Sequence, residues 1–306
     1  MPAISIEKIS KRYGKVNALS EIGFEVFEGE IFGLIGPDGA GKTTLFNILA
    51  TLQQPTSGKA TLLGLEVVAE YKKIRKEIGY LPGVFSLYPD LSVYENLRFF
   101  ATMYGSKIKE NLHLIAPIWQ QLAPFKERQA GRLSGGMKQK LALCCALIHK
   151  PKILFLDEPT TGVDPVSRRE FWNLLNEIKK QGIAVLVSTP YMDEATRCDR
   201  IALMKEGKII TINTPAQIIE NYKGKLYSLK TKTIFHLLAC MQNCPIPCNY
   251  YPYGEFMHVS FYDEEFNLQY FTGFLEANGQ AFSELMRIYP TVEDCFIELV
   301  SEDARD

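Results

Sequence analysis

Through the first 220 residues, short apolar runs alternate with stretches whose apolar positions recur at helical spacing. IFGLI (31–35), KILFL (152–156), IAVLVST (183–189) and RIALMKEGKII (200–210) read as strands covered on both faces. A half-exposed strand would instead alternate apolar and polar positions. In KTTLFNILATL, Leu45, Ile48, Leu49 and Leu52 follow an i, i+3, i+4, i+7 spacing and form one buried helical face. Strands alternating with helices predict a largely parallel sheet with right-handed crossovers. Residues 91–150 break the alternation. LSVYENLRFFATMYG and the stretch through HLIAPIWQQLAPF are helical with no strand between them, an insertion into the α/β core. After Tyr222 the order LYSLKT, IFHLLACM, EFMHVSFYD, FNLQYFTGFLEAN predicts strand, helix, strand, helix in a small α+β module. A last periodic stretch, TVEDCFIELV, places Val292, Cys295, Phe296 and Leu299 on one face, with Thr291 as its N-cap.

Composition changes this picture little: 306 residues, 46% hydrophobic and 23% charged, suit one large domain or a large and a small one, with a proper core. Charge changes it more. Residues 1–220 carry 28 basic and 23 acidic side chains, net +5, whereas residues 221–306 carry 6 and 12, net −6. The shift sets a domain boundary near residue 220, and neither sign is strong enough to imply nucleic acid as a partner. No run approaches the roughly 20 apolar residues that span a bilayer, and MPAISIEKIS lacks a signal-peptide pattern. Any membrane role is therefore expected to pass through a partner. Seven cysteines suit free thiols in a reducing compartment. Cys240, Cys244 and Cys248, with His236 one turn earlier, have a spacing that could ligate a soft metal, but Pro245 and Pro247 break the helix before Cys248, which favours three idle thiols.

Three stretches carry chemistry. GPDGAGKT (36–43) fits G-x-x-x-x-G-K-[ST] between a strand and a helix. Its glycines Gly36, Gly39 and Gly41 let backbone N–H groups turn inward around phosphate at a helix N-terminus. Lys42 is expected to reach the β- and γ-phosphates, with the Thr43 hydroxyl on Mg2+. KILFLDEP (152–159) ends a buried strand in two carboxylates, Asp157 for the Mg2+ shell and Glu158 to polarise an attacking water. LSGGMKQ (133–139) opens another helix with Ser134, Gly135 and Gly136, a second nest of anion donors. Two γ-phosphate sites in one chain make sense if two chains meet head to tail across each nucleotide.

LSGGMKQ about twenty residues ahead of FLDEP, with GPDGAGKTT upstream, resembles the nucleotide-binding subunit of an ATP-binding-cassette (ABC) transporter over roughly residues 3–220. The resemblance implies an α/β P-loop NTPase fold with a helical subdomain near 91–150, followed by the small α+β domain at 221–306. It implies ATP and Mg2+ as cofactors, held by Pro37, Asp38, Ala40 and Thr44 alongside the residues above. Tyr13, in KRYG, matches the aromatic that stacks on adenine. Leu133 and Gln139 complete the signature that meets the nucleotide of the opposite subunit, and Asp164, in TTGVDP, matches the aspartate of the loop crossing that interface. More narrowly, GPDGAGKTT, LSGGMKQKL and GVDPVSRREFW resemble the first half of bacterial ABC-2-type exporters that fuse two cassettes. YPTVEDCFIELV is similar to the ending of accessory domains in drug- and polysaccharide-type exporters. The expected partners are transmembrane permeases and a second cassette, at the cytoplasmic face of a membrane. Phe85, Leu87 and Tyr88 are candidate contacts for a permease or packing residues of the insertion.

Two positions depart from the family pattern. STPYMDEA has Pro190 where the family has a histidine that contacts the γ-phosphate, and LPG has Gly83 where the family has a glutamine that senses Mg2+ and water. Proline and glycine offer neither group. The expectation is a site that binds Mg–ATP and turns it over slowly, completed by a different, competent cassette in a heterodimer rather than by its own twin. Two other readings are a soluble cassette protein without a transport role, and a regulatory nucleotide sensor whose C-terminal module, with Tyr250, Tyr251 and Tyr253, forms an interface or simply packs as a loop.

Overall fold

The computed structural model describes residues 1–263 and 266–303, in two compact units, Met1–Pro215 and Ala216–Asp306. By packing, the boundary falls at the start of a short helix, Pro215–Glu220, a few residues before the charge shift near 220.

The first unit opens with β1 (Ile4–Tyr13) and β2 (Val16–Val26), then β3 (Ile31–Ile35), α1 (Lys42–Leu49), β4 (Ser57–Leu62), β5 (Leu65–Glu66), α2 (Tyr71–Glu77) and β6 (Ile78–Leu81). The insertion follows as α3 (Val93–Met103), α4 (Ile108–Leu122) and α5 (Gly135–Leu147). β7 (Ile153–Asp157), α6 (Pro165–Lys179), β8 (Ala184–Thr189), β9 (Arg200–Lys205) and β10 (Lys208–Asn213) complete the run, and α7 (Pro215–Glu220) lies in the second unit but for its first residue.

The central sheet has the order β10-β9-β3-β8-β7-β6, parallel from β9 to β6. Every residue of β3, β7 and β8 is buried, so their unbroken apolar runs reflect helices or sheet on both faces. The run 200–210 differs from the single strand that its apolarity predicts. It is a hairpin, β9 and β10, turned at Glu206 and Gly207 with φ of 48° and 77°, the conformation a tight primed turn requires. A second, antiparallel sheet, β2-β1-β4-β5, covers residues to which the alternation of runs assigned no strand. Ile4, Ile6 and Ile9 of β1 bury against the central core, and Phe24 of β2 stacks on Phe32 of β3 with ring centroids 4.8 Å apart. α1 lies in this core through Leu45, Phe46, Ile48 and Leu49, but it ends at Leu49, so Leu52 falls beyond it and is 56% exposed.

The second unit is a four-stranded antiparallel sheet, β12-β13-β11-β14, built from β11 (Lys225–Lys230), β12 (Cys248–Tyr253), β13 (Phe256–Phe261) and β14 (Glu284–Arg287). α8 (Ile234–Met241) and α9 (Leu268–Ala277) share one core with it, where Phe261 meets Phe271 edge-on at 4.9 Å. The two edge strands, β12 and β14, were not apparent in the sequence pattern. The tyrosine cluster is therefore strand, not loop: Tyr250 packs on the core and Tyr253 stacks on His258. Cys240 lies in α8, while Cys244 and Cys248 are neighbours whose thiols hydrogen-bond, and burial pushes the Cys248 thiol up to about 12. Among the described residues no three His, Cys, Asp or Glu side chains gather as metal ligands.

α10 (Val292–Asp303) buries Val292 and Cys295 as its periodicity predicts, and the Thr291 hydroxyl accepts from the Asp294 N–H at 3.3 Å, the expected cap. Periodicity did not predict that Asp294 is fully buried. Its Oδ1 accepts from the Tyr251 hydroxyl and lies 2.7 Å from His258 Nδ1, while its Oδ2 accepts from the Thr291 N–H and hydroxyl, both at 2.6 Å. Burial pushes this carboxyl up, but hydrogen bonds from His258, Thr291 and Tyr251 outweigh it and hold the carboxyl below the usual range. A depressed folded value stabilises the domain above the unfolded value of about 3.9 and is lost as pH falls through the folded one. Asp294→Ala strands several buried donors, and denaturant unfolding is expected to show a loss of about 3 kcal/mol at pH 7. That loss should begin to shrink below about pH 4, where the unfolded-state carboxyl takes up its proton, and continue to do so until the native carboxylate protonates at a lower pH.

Candidate nucleotide-binding site

Three adjacent parallel strands end at one edge of the central sheet and set the site. β3 leads into Gly36–Thr43, β7 ends at Asp157, and β8 between them ends at Thr189, with Ile35 opposite Thr189 and Asp157 opposite Ser188. The Gly36 N–H donates to the Thr189 carbonyl at 3.4 Å, joining the loop to β8. The loop closes on Gly41, whose φ of 101° and whose distance of 2.5 Å from an added Cβ to the Ala18 carbonyl leave room for glycine alone. Gly41 is also the N-cap of α1 and supplies no side-chain cap, so the first-turn N–H groups are free for an external acceptor.

Lys42 is 3% exposed, and its ammonium donates to the Gly36 carbonyl at 2.8 Å and the Pro37 carbonyl at 3.0 Å. It also sits 3.3 Å from Glu158 Oε1. Glu158 has a φ of 50°, a left-handed conformation that costs a non-glycine residue and turns its side chain back toward Lys42. Asp157, 2% exposed, accepts from the Ser188 hydroxyl at 2.6 Å. Thr43 is exposed at the first position but one of the helix turn. An uncapped helix start, an ammonium, an exposed hydroxyl and a buried carboxylate fit a triphosphate with Mg2+.

A cleft of about 410 Å³ opens at this point, lined by Val16, Ala18, Gly41, Lys42, Thr43, Glu158 and the Glu206–Gly207 turn. The β2 and hairpin residues were not among the sequence candidates, because nothing in their local composition marks them. Tyr13, at the end of β1, is not among the lining residues; it is 44% exposed, its hydroxyl donates to Gln53, and Lys11 lies 5.2 Å from its ring centroid. Pro37, Asp38 and Gly39 are exposed, and Ala40 packs inward.

Ser134 and its neighbours lie apart from the cleft lining. Ser134 caps α5, its hydroxyl accepting from the Met137 N–H at a long 3.4 Å, and it is exposed along with Gly135. Gly136 abuts α6: an added Cβ would stand 2.7 Å from Ser167 Oγ. Leu133 is buried and Gln139 half-buried. Asp164 caps α6, Oδ1 accepting from Val166 N at 3.1 Å and Ser167 N at 3.0 Å, and these bonds, that from Ser167 first, hold its carboxyl below the usual range. Sequence spacing did not reveal this capping.

The two departures sit beside the acids. A Cβ on Gly83 would lie 3.2 Å from the Asp157 carbonyl and 3.9 Å from Glu158 Cβ. Pro190 follows β8 directly, and the segment beyond it is held by Glu194, which is 3% exposed and accepts from Thr160 at 2.7 Å and Thr189 at 2.6 Å. Of the three candidate contact residues, Leu87 is buried rather than presented; Tyr88 stays 47% exposed, its ring 4.8 Å from that of Phe99. The fully buried Asn96 fixes this loop, donating to the Tyr88 and Leu91 carbonyls at 3.0 and 3.2 Å.

The sequence matches the family model described as ABC transporter over residues 19–161. It is 44% identical over 214 residues to a protein of Escherichia coli K12 named probable multidrug ABC transporter ATP-binding protein YbhF, an alignment covering 69% of this chain and 37% of that one. The chain thus spans little more than a third of that relative. It is 38% identical over 224 residues to Nod factor export ATP-binding protein I of Burkholderia orbicola AU 1054, covering 72% and 74% of the two chains. Among solved structures, the ATP-binding subunit of an ABC transporter superposes with a TM-score of 0.65 at 28% identity, over 71% of this chain and 92% of that one. A dimeric cassette in a post-hydrolysis state bound to ADP and Pi superposes with a TM-score of 0.62 at 26% identity, over 69% and 98%. The chain belongs to the ATP-binding proteins of the ABC transporter family.

Proposed function

We propose that the chain is the ATP-binding, energy-coupling subunit of an ABC-2-type exporter, acting at the cytoplasmic face of a membrane through transmembrane permeases. The name of the Burkholderia relative supports export, and that of the E. coli relative supports a multidrug transporter. No helix among the described residues is long and apolar enough to cross a membrane, so coupling falls to a surface, and exposed Val84, Tyr88 and Phe99 offer one.

One observation carries the reading: the cleft is lined by the Lys42 loop, Glu158, the start of β2 and the Glu206–Gly207 turn, without any residue of 133–139. The signature serine therefore has its use on the nucleotide of another subunit. In this chain, the α1 N–H groups and Lys42 would hold the β- and γ-phosphates, and Thr43 and Asp157 would hold Mg2+, which neutralises phosphate charge. Glu158 would take the proton of the attacking water as the γ-phosphoryl passes to it, giving ADP and phosphate. Binding requires Lys42 to exchange Glu158 for phosphate oxygens, which also releases the carboxylate for that proton.

Gly83 and Pro190 leave this water without the side-chain groups that would hold it from the other side. Loss of a positioning or proton-handling group costs about 10²–10⁴ in rate. The chain's own site would then bind and hydrolyse slowly, and a second, different cassette would supply the competent site, in preference to a homodimer. The purified chain alone is expected to turn over well below about 1 s⁻¹. Gly83→Gln with Pro190→His is expected to raise that rate, the glutamine Cβ requiring only a small shift of the loop. A wild-type rate at or above that value contradicts the degenerate site.

Equilibrium binding separates the two anion nests. Lys42→Ala should weaken ATP binding to the isolated chain by about tenfold or more, the worth of a charged hydrogen bond. Ser134→Ala should leave that affinity unchanged, and equal losses from both would contradict a site shared between subunits.

A further inference from the structure

Ser188 is a polar residue next to last in a fully buried strand: Ala184, Val185, Leu186 and Val187 precede it, Thr189 follows, and all of β8 is covered. A buried hydroxyl costs free energy unless it is hydrogen-bonded, and alanine or valine would suit the strand as well. The hydroxyl is fully used. Its proton goes to Asp157 Oδ1 at 2.6 Å, the length of a charge-assisted bond, and its lone pair accepts from the Glu158 N–H at 3.0 Å. The Ser188 carbonyl accepts from the same N–H at 3.1 Å.

We propose that Ser188 is a positioning residue that orients both acids of the site, fixing Asp157 for Mg2+ and holding Glu158 in its left-handed turn. Asp157 Oδ1 is tied to Ser188, which presents the other oxygen in one orientation. The shared N–H bond stabilises the φ of 50° that aims Glu158 at Lys42. β8 thus acts on the site through position 188, two residues before Pro190, which has no group to offer. The next residue has a separate task, since the Thr189 hydroxyl donates to Glu194 and accepts from the Tyr191 N–H at 3.1 Å. Partners that orient a metal ligand are worth 10–100-fold in metal affinity. The proposal rests on the nucleotide-site reading above.

The test is a fluorescent-ATP titration of the full chain, in EDTA and across a Mg2+ series, for wild type, Ser188→Ala and Ser188→Thr. Ser188→Ala is expected to leave the metal-free affinity unchanged and to raise the Mg2+ concentration for half-maximal tightening by about tenfold or more. Ser188→Thr, which keeps the hydroxyl, should restore it. An unchanged Mg2+ requirement in Ser188→Ala overturns the proposal. So does an equal loss of affinity with and without Mg2+, which marks a structural role. If the alanine variant does not fold, Ser188→Cys, of similar shape and a weak donor, gives the same readout. Failure of the wild type to bind nucleotide at all sinks the site reading instead.

Discussion

The register of three parallel strands governs this site. Because β3, β8 and β7 are neighbours in one sheet, with Ile35 level with Thr189 and Asp157 level with Ser188, the phosphate loop, the middle strand and the acid pair must end together. A slip of one residue in β8 would turn Ser188 away from Asp157 and put Val187 or Thr189 in its place. The buried core that α1, β1 and β2 share with this sheet makes such a slip costly, since nearly every member is close-packed. Packing energy that has no chemistry of its own thus fixes the placement of groups that do.

Within that frame, charge is held in unequal ways. Lys42 is satisfied by two loop carbonyls and Glu158, so the loop is a closed electrostatic unit that a triphosphate would have to open. Asp157 is held by a single hydroxyl at one oxygen. At the neighbouring positions 83 and 190, the chain provides no polar side chain. On the proposed reading, this edge would grip phosphate and metal but offer no side chain at those two positions to hold a water, the division between binding and turnover that the proposed asymmetric partnership requires.

Much of this was legible in the sequence, and the misses have physical causes. The phosphate loop, acid pair and signature could be placed because glycine spacing and strand ends leave few alternatives. Residues 1–30 gave no strand signal because bulges in β1 against β2 interrupt the simple alternation of ISIEKIS. The run at 200–210 hid a hairpin because its Glu-Gly turn is only two residues long. Leu52 fitted a helical period that ended before it reached that residue. Edge strands β12 and β14 were missed because their exposed faces carry mixed residues. Ser188, Glu194 and Asp294 are the hardest class: each is a single polar residue whose importance comes from partners far away in sequence. Local pattern cannot show such partners.

The most direct measurement is an experimental structure of the full chain with Mg–ATP bound, solved with a second cassette or with its own twin. The account predicts Lys42 withdrawn from Glu158 onto phosphate, and Ser134 of the partner subunit closing the other side of the same nucleotide. ATP bound with Lys42 still paired to Glu158, or enclosed by residues of one chain alone, would contradict it.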